Sequence, residues 1–198
     1  MKREDWDRRY AGPESLWSAK PNRFLVAEVA GLEPGRALDL ACGEGQNAVW
    51  LAGLGWEVTA VDYAEVAIAK GIERAAREGV AVDFHADDLL RYRPEARAFD
   101  LVLILYLHMP SDGRRLVLER AAAAVAPGGT LVLVGHDLLN LTEGVGGPSD
   151  PDLLFTPDDV VAELHGLDVE KAERVLRDVR DADRPAIDAL VRATRAAS

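Results

Sequence analysis

A doubly wound α/β sandwich is the fold this 198-residue chain predicts, and three features predict it. An apolar strand over residues 37–41 runs directly into a turn containing Gly43 and Gly45, and a helical pattern opens at Gln46. A second strand, over 57–62, ends in Asp62, about twenty residues after the glycines, which is the spacing of a mononucleotide-binding βαβ half. Beyond it, apolar runs alternate with helical segments. Such runs, with little polar interruption, belong to parallel strands covered on both faces. Right-handed crossovers then distribute the helices to the two sides of the sheet.

The elements follow in order. Residues 1–33 form an arm that carries Trp6, Tyr10, Trp17 and Phe24, separated by charges, Gly12, Pro13 and Pro21. A helix is expected over 22–30, with Asn22 as its cap and Gly31 as its stop. The core, 34–198, holds strands at 37–41, 57–62, 82–85, 101–105 and 130–135, and helices at 46–53, 65–78, 112–125 and 157–164. The Pro127-Gly128-Gly129 turn re-enters the sheet. Segments 168–176 and 186–195 are the last two strands, and the polar link RDVRDADRP between them fits a hairpin. The connection 136–157 is long and contains Gly144, Gly146 and Gly147; its length suits a lid that excludes water. No linker or repeat divides the chain, so 1–198 reads as a single domain.

Composition narrows the function. The net charge is −11 and the pI about 4.8, which argues against nucleic acid and anionic membrane as partners. Cys42 is the one cysteine, so neither an intramolecular disulfide nor a cysteine metal cluster can form, and no metal-ligand spacing is present. Cys42 reads as a small buried hydrophobe. The N-terminal MKREDWDRRY lacks the apolar core of a signal peptide, and no apolar run approaches a bilayer span. A cytoplasmic protein, monomer or homodimer, is the expectation.

The loop chemistry points to a ligand. Gly43 and Gly45 let the backbone turn tightly and approach a bound molecule. Asp62 can accept two hydrogen bonds from a ribose diol. A dinucleotide fingerprint needs a third glycine where Ala48 stands, and a P-loop needs Gly-Lys-Ser/Thr, which is absent. Asp39 before the loop can pair with a cationic amino-acid moiety but would repel a pyrophosphate.

Asp39 with Cys42-Gly43-Glu44-Gly45 resembles the first motif of class I S-adenosylmethionine-dependent methyltransferases, which have a Rossmann-like, mainly parallel seven-stranded sheet with an antiparallel C-terminal strand. FHADDLL, FDLVLILYLHMP and AAAVAPGGTLVLVG resemble that family's later landmarks, in order. The resemblance implies S-adenosyl-L-methionine as cofactor, S-adenosyl-L-homocysteine as product, and cofactor contacts from Asp39, Ala41, Gly43, Gly45, Asn47, Asp62, Tyr63, Asp87, Asp88 and Leu105. Asp87 would accept from the adenine amino group and the Asp88 amide would donate to the ring; alternatively the two form a helix-capping pair.

The pattern WDRRY…LWS…PNRFL, together with the lid, is similar to small methyltransferases of the tellurite-resistance and thiopurine type. That implies a small-molecule acceptor: a thiol, a chalcogen oxyanion, or a phenol or amine. Tyr10, Trp17, His108 and His136 are the candidate acceptor contacts. His108 and His136 are the candidate bases, since imidazole titrates near neutral pH, and Tyr106 would orient the acceptor. Trp6, Tyr10 and Trp17 either cap the cofactor or pack the arm onto the domain. Two other functions stay open: a non-catalytic cofactor-binding sensor or partner, and a nucleotide-dependent oxidoreductase.

Overall fold

The computed structural model describes residues 3–12, 16 and 20–197. In chain order the elements are α1 (Arg3–Tyr10), α2 (Arg23–Glu28), β1 (Arg36–Leu40), α3 (Gln46–Gly53), β2 (Glu57–Asp62), α4 (Glu65–Glu78), β3 (Asp83–Ala86), β4 (Phe99–Leu105), α5 (Ser111–Ala124), β5 (Val125–His136), α6 (Asn140–Glu143), a 3-10 turn (Pro151–Leu153), α7 (Pro157–Glu163), β6 (Asp168–Arg177) and β7 (Ala186–Thr194). Seven strands form one sheet in the order β3-β2-β1-β4-β5-β7-β6. β3 to β5 are joined by parallel pairings through β2, β1 and β4, whereas β7 runs antiparallel to both β5 and β6. The seven-stranded expectation and the closing hairpin therefore hold.

Strand side chains alternate between two cores with the period of two that a pleated strand imposes. Leu38, Val102, Ile104, Leu131 and Leu133 pack with α5 and α7 on one face. Ala37, Leu101, Leu103, Val132 and Val134 pack with α2, α3 and α4 on the other. Among the described residues, no helix is long and apolar enough to cross a membrane.

Several boundaries differ from the sequence reading for local reasons. α2 ends at Glu28 with Val29 as C-cap, earlier than the expected stop; Asn22 does cap it, accepting from the Phe24 and Leu25 amides. β5 begins at Val125, and Pro127-Gly128-Gly129 lies inside its span as an irregularity: Gly128 has φ +78° and donates to the Arg195 carbonyl. α1 was not anticipated. Its sequence is almost wholly charged, so it carries no apolar period, and it is held instead by tertiary contacts: Arg3 pairs with Glu65 and the Asp7 carboxylate accepts from the Val66 amide.

Candidate cofactor and acceptor site

The order of strands reverses between β1 and β4, and ligands in open α/β sheets bind outside the carboxyl ends at such a switch point. Both strands leave the sheet through a non-glycine residue in the left-handed region, Ala41 at φ +63° after β1 and Tyr106 at φ +57° after β4. That conformation is costly for a residue with a Cβ and collects at functional positions. A cleft of about 230 Å³ opens between the two exits.

On the β1 side, Gly43 (φ +55°) and Gly45 (φ +71°) shape the loop, and Gly45 is the N-cap of α3. A Cβ on Gly43 would meet the Tyr10 hydroxyl at 3.1 Å, so the arm lies directly on the loop. Asp62 closes the loop from below: one carboxylate oxygen accepts from the Gly43 amide at 2.8 Å and the other from the Ala64 amide at 2.9 Å. It also lines the cleft beside Tyr63. Burial raises the Asp62 pKa, opposed by these backbone bonds.

Asp39 is the anomaly of this region. It is 1% exposed, and neither carboxylate oxygen has a hydrogen-bond partner among the described residues. Burial, and secondarily the charge of Asp62, push its pKa up to about 8. A buried unpaired carboxylate is stable only if it keeps a proton or meets a cation. The donor set therefore fits a ligand with a positive group and is poorly suited to a phosphate.

The remaining loop residues behave differently from expectation. Glu44 faces away from the cleft, where Lys70 and the Leu16 amide each reach its carboxylate at 3.0 Å. Asn47, expected on the cofactor, accepts from the Asn22 amide at 2.9 Å and ties α2 to α3. Cys42 is buried, its thiol pKa raised by burial and then by Asp39, which fits the inert role assigned to it. After β3, Asp88 rather than Asp87 lines the cleft. The Asp88 amide, expected to donate to a ring, bonds the Asp87 carboxylate at 2.7 Å, and the Asp88 side chain accepts from the Leu90 amide. These are the contacts of a turn; no helix begins there for the pair to cap. Leu105 is buried in the core behind Tyr106 and does not line the cleft.

On the β4 side, rings stack in a column. Tyr10 stacks on Trp6 at 6.0 Å, Trp6 on His108 at 6.0 Å, and His108 on His136 at 5.7 Å with 11° between planes. The arm, the β4 exit and the end of β5 thus meet in one line. Trp6, Tyr10, Tyr106 and His108 line the cleft, and His136 lies behind His108. The Nε2 atom of His108 is buried with no hydrogen-bond partner among the described residues. Its pKa is lowered to about 4 by burial first, then by His136 and Arg9, so this imidazole is neutral at pH 7. The Tyr106 hydroxyl donates to Asp188 at 2.7 Å, and burial drives its pKa further up. The hydroxyl is thus engaged by Asp188 and, at 3.0 Å, by Arg177. Trp17 lies outside the described residues.

The loop after β5 is pinned at its base. Asn140 accepts from the Ile187 amide at 2.7 Å and donates to the Gly146 carbonyl, and buried Asp137 pairs with Arg174 at 2.9 Å. Gly147 faces the His136 ring so closely that a Cβ there would come within 2.9 Å of it.

Residues 37–129 match a family model described as a methyltransferase domain. Over that span the chain is a methyltransferase domain, similar in fold and in the order of its landmarks to the class I S-adenosylmethionine-dependent methyltransferases. The ribosomal RNA small subunit methyltransferase C of Alcanivorax borkumensis is 31% identical over 109 residues, 52% of this chain and 33% of that protein. The chain thus spans about a third of the length of that curated relative. Over its full length the chain is similar to a solved structure concerned with the conversion of a disulfide bond into a thioacetal group during echinomycin biosynthesis. That likeness has 25% identity and a TM-score of 0.78, and covers 99% of this chain and 93% of the other. The N-methyltransferase NodS of Bradyrhizobium japonicum WM9, solved with S-adenosyl-L-homocysteine, shares the fold with a TM-score of 0.70 at 21% identity, covering 98% and 97%.

Proposed function

We propose that this methyltransferase moves the methyl group of S-adenosylmethionine to a small, uncharged acceptor with an apolar body, with sulfur as the first acceptor to test. The observation that carries this reading is the acceptor end of the cleft. It is lined by the neutral imidazole of His108, whose Nε2 is buried without a hydrogen-bond partner among the described residues, and by Trp6, Tyr10, Tyr106 and Met109. The charged side chains that line the cleft are Asp62 and Asp88, both acidic. Among the described residues no cation lines the cleft, Arg9 lying over the Trp6 ring, so an oxyanion is the less favoured acceptor, whereas a thiol, phenol or amine would find apolar contact beside an imidazole.

When bound, S-adenosylmethionine supplies an electrophilic methyl with a good leaving group, so positioning and exclusion of water account for most of the demand on the protein. Asp39 would hold the cationic amino-acid portion and Asp62 the ribose, while the Tyr10 and Trp6 roof keeps water out. His108 at its lowered pKa is a weak base, suited to hydrogen-bonding an acceptor more than to deprotonating a reluctant one. A thiol, already a few per cent thiolate at neutral pH, asks least of it. The full-length likeness to the structure concerned with thioacetal formation supports starting with sulfur.

The test is calorimetric titration of the purified chain with S-adenosylmethionine and S-adenosylhomocysteine, followed by measurement of S-adenosylhomocysteine formation with thiols, phenols, amines and tellurium oxyanions. Micromolar binding and turnover with thiols is the expected result. No binding of either molecule by folded, ligand-free protein refutes the cofactor assignment; turnover confined to oxyanions refutes the acceptor class.

A further inference from the structure

The carboxylate of Asp188, on β7, is completely buried, and it holds the hydroxyl of Tyr106, a residue that lines the cleft. His136 and Asp188 are directly opposed across the antiparallel β5–β7 pair, and Val175 of β6 faces Asp188 from the other side. Residues two apart on a strand share a face, so Arg177 reaches diagonally to the same carboxylate. Its Nε donates to Asp188 Oδ2 at 2.7 Å, and the Tyr106 hydroxyl donates to that oxygen at 2.7 Å as well. The other oxygen, Oδ1, lies 3.2 Å from Nδ1 of His136. The contact at Nδ1 is one of proximity, since that atom makes no hydrogen bond to any described residue. Burial alone would raise the Asp188 pKa, but the nearby His136 ring, the Arg177 guanidinium and the Tyr106 hydroxyl outweigh it and hold it below the usual range. The group is therefore a carboxylate at neutral pH.

We infer that Asp188, anchored by Arg177, is a positioning residue that fixes His136 with its proton on Nδ1 and, through the stacked rings, sets the plane of His108 at the cleft. Every group packed on the pair is consistent with this. Asp188 from β7 and Tyr106 beyond β4 flank His136, the Gly147 backbone covers its outer face, and Trp6 covers the outer face of His108. Arg9 of α1 repels a proton on His108, and so does His136 when charged. Asp188 faces His136 and not His108, whose Nε2 is left without a partner among the described residues. The role in methyl transfer rests on the function proposed above; the tautomer does not.

The experiment is a long-range proton–nitrogen correlation spectrum of the imidazoles in the nitrogen-15-labelled full chain near neutral pH. The chain has four histidines, and His136→Gln identifies the resonances of interest. The wild type is expected to show His136 protonated at Nδ1 and bare at Nε2. In Asp188→Asn the oxygen of the new amide will turn to its two donors, Tyr106 and Arg177, placing the NH2 against His136 and reversing the tautomer. Wild-type His136 protonated at Nε2, or an unchanged tautomer in Asp188→Asn, overturns the inference. Should that variant not fold, the wild-type spectrum still decides, and Tyr106→Phe, which keeps Arg177 and His136 on the carboxylate, must retain the Nδ1 proton.

With 2-mercaptoethanol as the probe acceptor, Asp188→Asn is expected to lower kcat by on the order of a hundredfold, as misplacement of a group by about 1 Å can. KM for S-adenosylmethionine and affinity for S-adenosylhomocysteine should stay unchanged. An equal loss in both would mean a collapsed site and no positioning role. Failure of the wild type to bind S-adenosylhomocysteine would refute the proposed function while leaving the tautomer result intact.

Discussion

At Ala41 the chain places a methyl group where the backbone needs left-handed φ, +63°. The left-handed region costs a residue with a Cβ about 1–2 kcal/mol, and a glycine would lose about 0.4–1 kcal/mol through the greater freedom of its unfolded state. Ala41→Gly should therefore stabilise the protein by roughly 0.5–1 kcal/mol, read from the midpoint of urea denaturation. The Asp62 carboxylate anchors the Gly43 and Ala64 amides, and the residue lines the cleft. Asp62→Ala is expected to abolish detectable S-adenosylhomocysteine binding in calorimetry, and it should also destabilise the fold by about 1–3 kcal/mol, the usual cost of orphaning buried amides. The turn at Gly43 and Gly45 and the acid ending β2 were legible because strand, turn and helix follow one another along the chain. The Asn22 amide bound by Asn47 was not, because it belongs to another element. Asp188 and Arg177 left only a faint trace, one acid inside the apolar run AIDALV. Their partners depend on the register of an antiparallel pair that no local pattern specifies.

Among the elements, the central strands β1, β4 and β5 were legible because each carries a continuous apolar run beside turn residues. The arm and the loop after β5 were not, since both are ordered by contacts to distant segments. The loop was read as a lid from its length and glycines, and its individual residues give that reading a sharper form. Gly147 has φ +79° and packs its backbone against the His136 ring, whereas Gly146, at φ +69°, has open space where a Cβ would stand. The two glycines separate strain from packing. Gly146→Ala should cost only the backbone term, about 1–2 kcal/mol. Gly147→Ala carries the same term plus a collision with His136, so it should destabilise more and shift the His136 and His108 ring signals. Equal melting profiles and unchanged histidine spectra for the two variants would show that the loop does not bear on the imidazole pair.

Across the whole molecule, two buried groups make stability depend on pH in opposite directions. His108 has its pKa lowered from 6.5 to about 4. The unfolded chain takes up that proton first, so the stability tied to neutral His108 is complete above pH 6.5 and is lost as pH falls toward 4. Asp39 has its pKa raised from 3.8 to about 8. The folded state holds that proton longer, so the associated stability is complete below pH 3.8 and is lost as pH rises through 8. Between pH 4 and 6.5 the two slopes oppose each other and the ligand-free protein should be nearly indifferent to pH. Above pH 6.5 the His108 slope is spent and the Asp39 slope is no longer opposed by it, so Asp39 should lower stability by about 2 kcal/mol up to pH 8, at about 1.4 kcal/mol per unit. Urea denaturation across that range checks it, and Asp39→Asn should remove the decline. A cationic ligand beside Asp39 stabilises the very form that burial penalises, which reverses the sign for the complex. Affinity for S-adenosylmethionine should therefore rise with pH and level off above 8. Below that pH, binding should release up to one proton, measurable as a dependence of the calorimetric heat on the buffer's ionisation enthalpy. Asp39→Asn should show neither effect. A wild-type affinity flat across this range would mean that Asp39 meets no positive charge in the complex, and the ligand's amino-acid portion would have to be placed elsewhere.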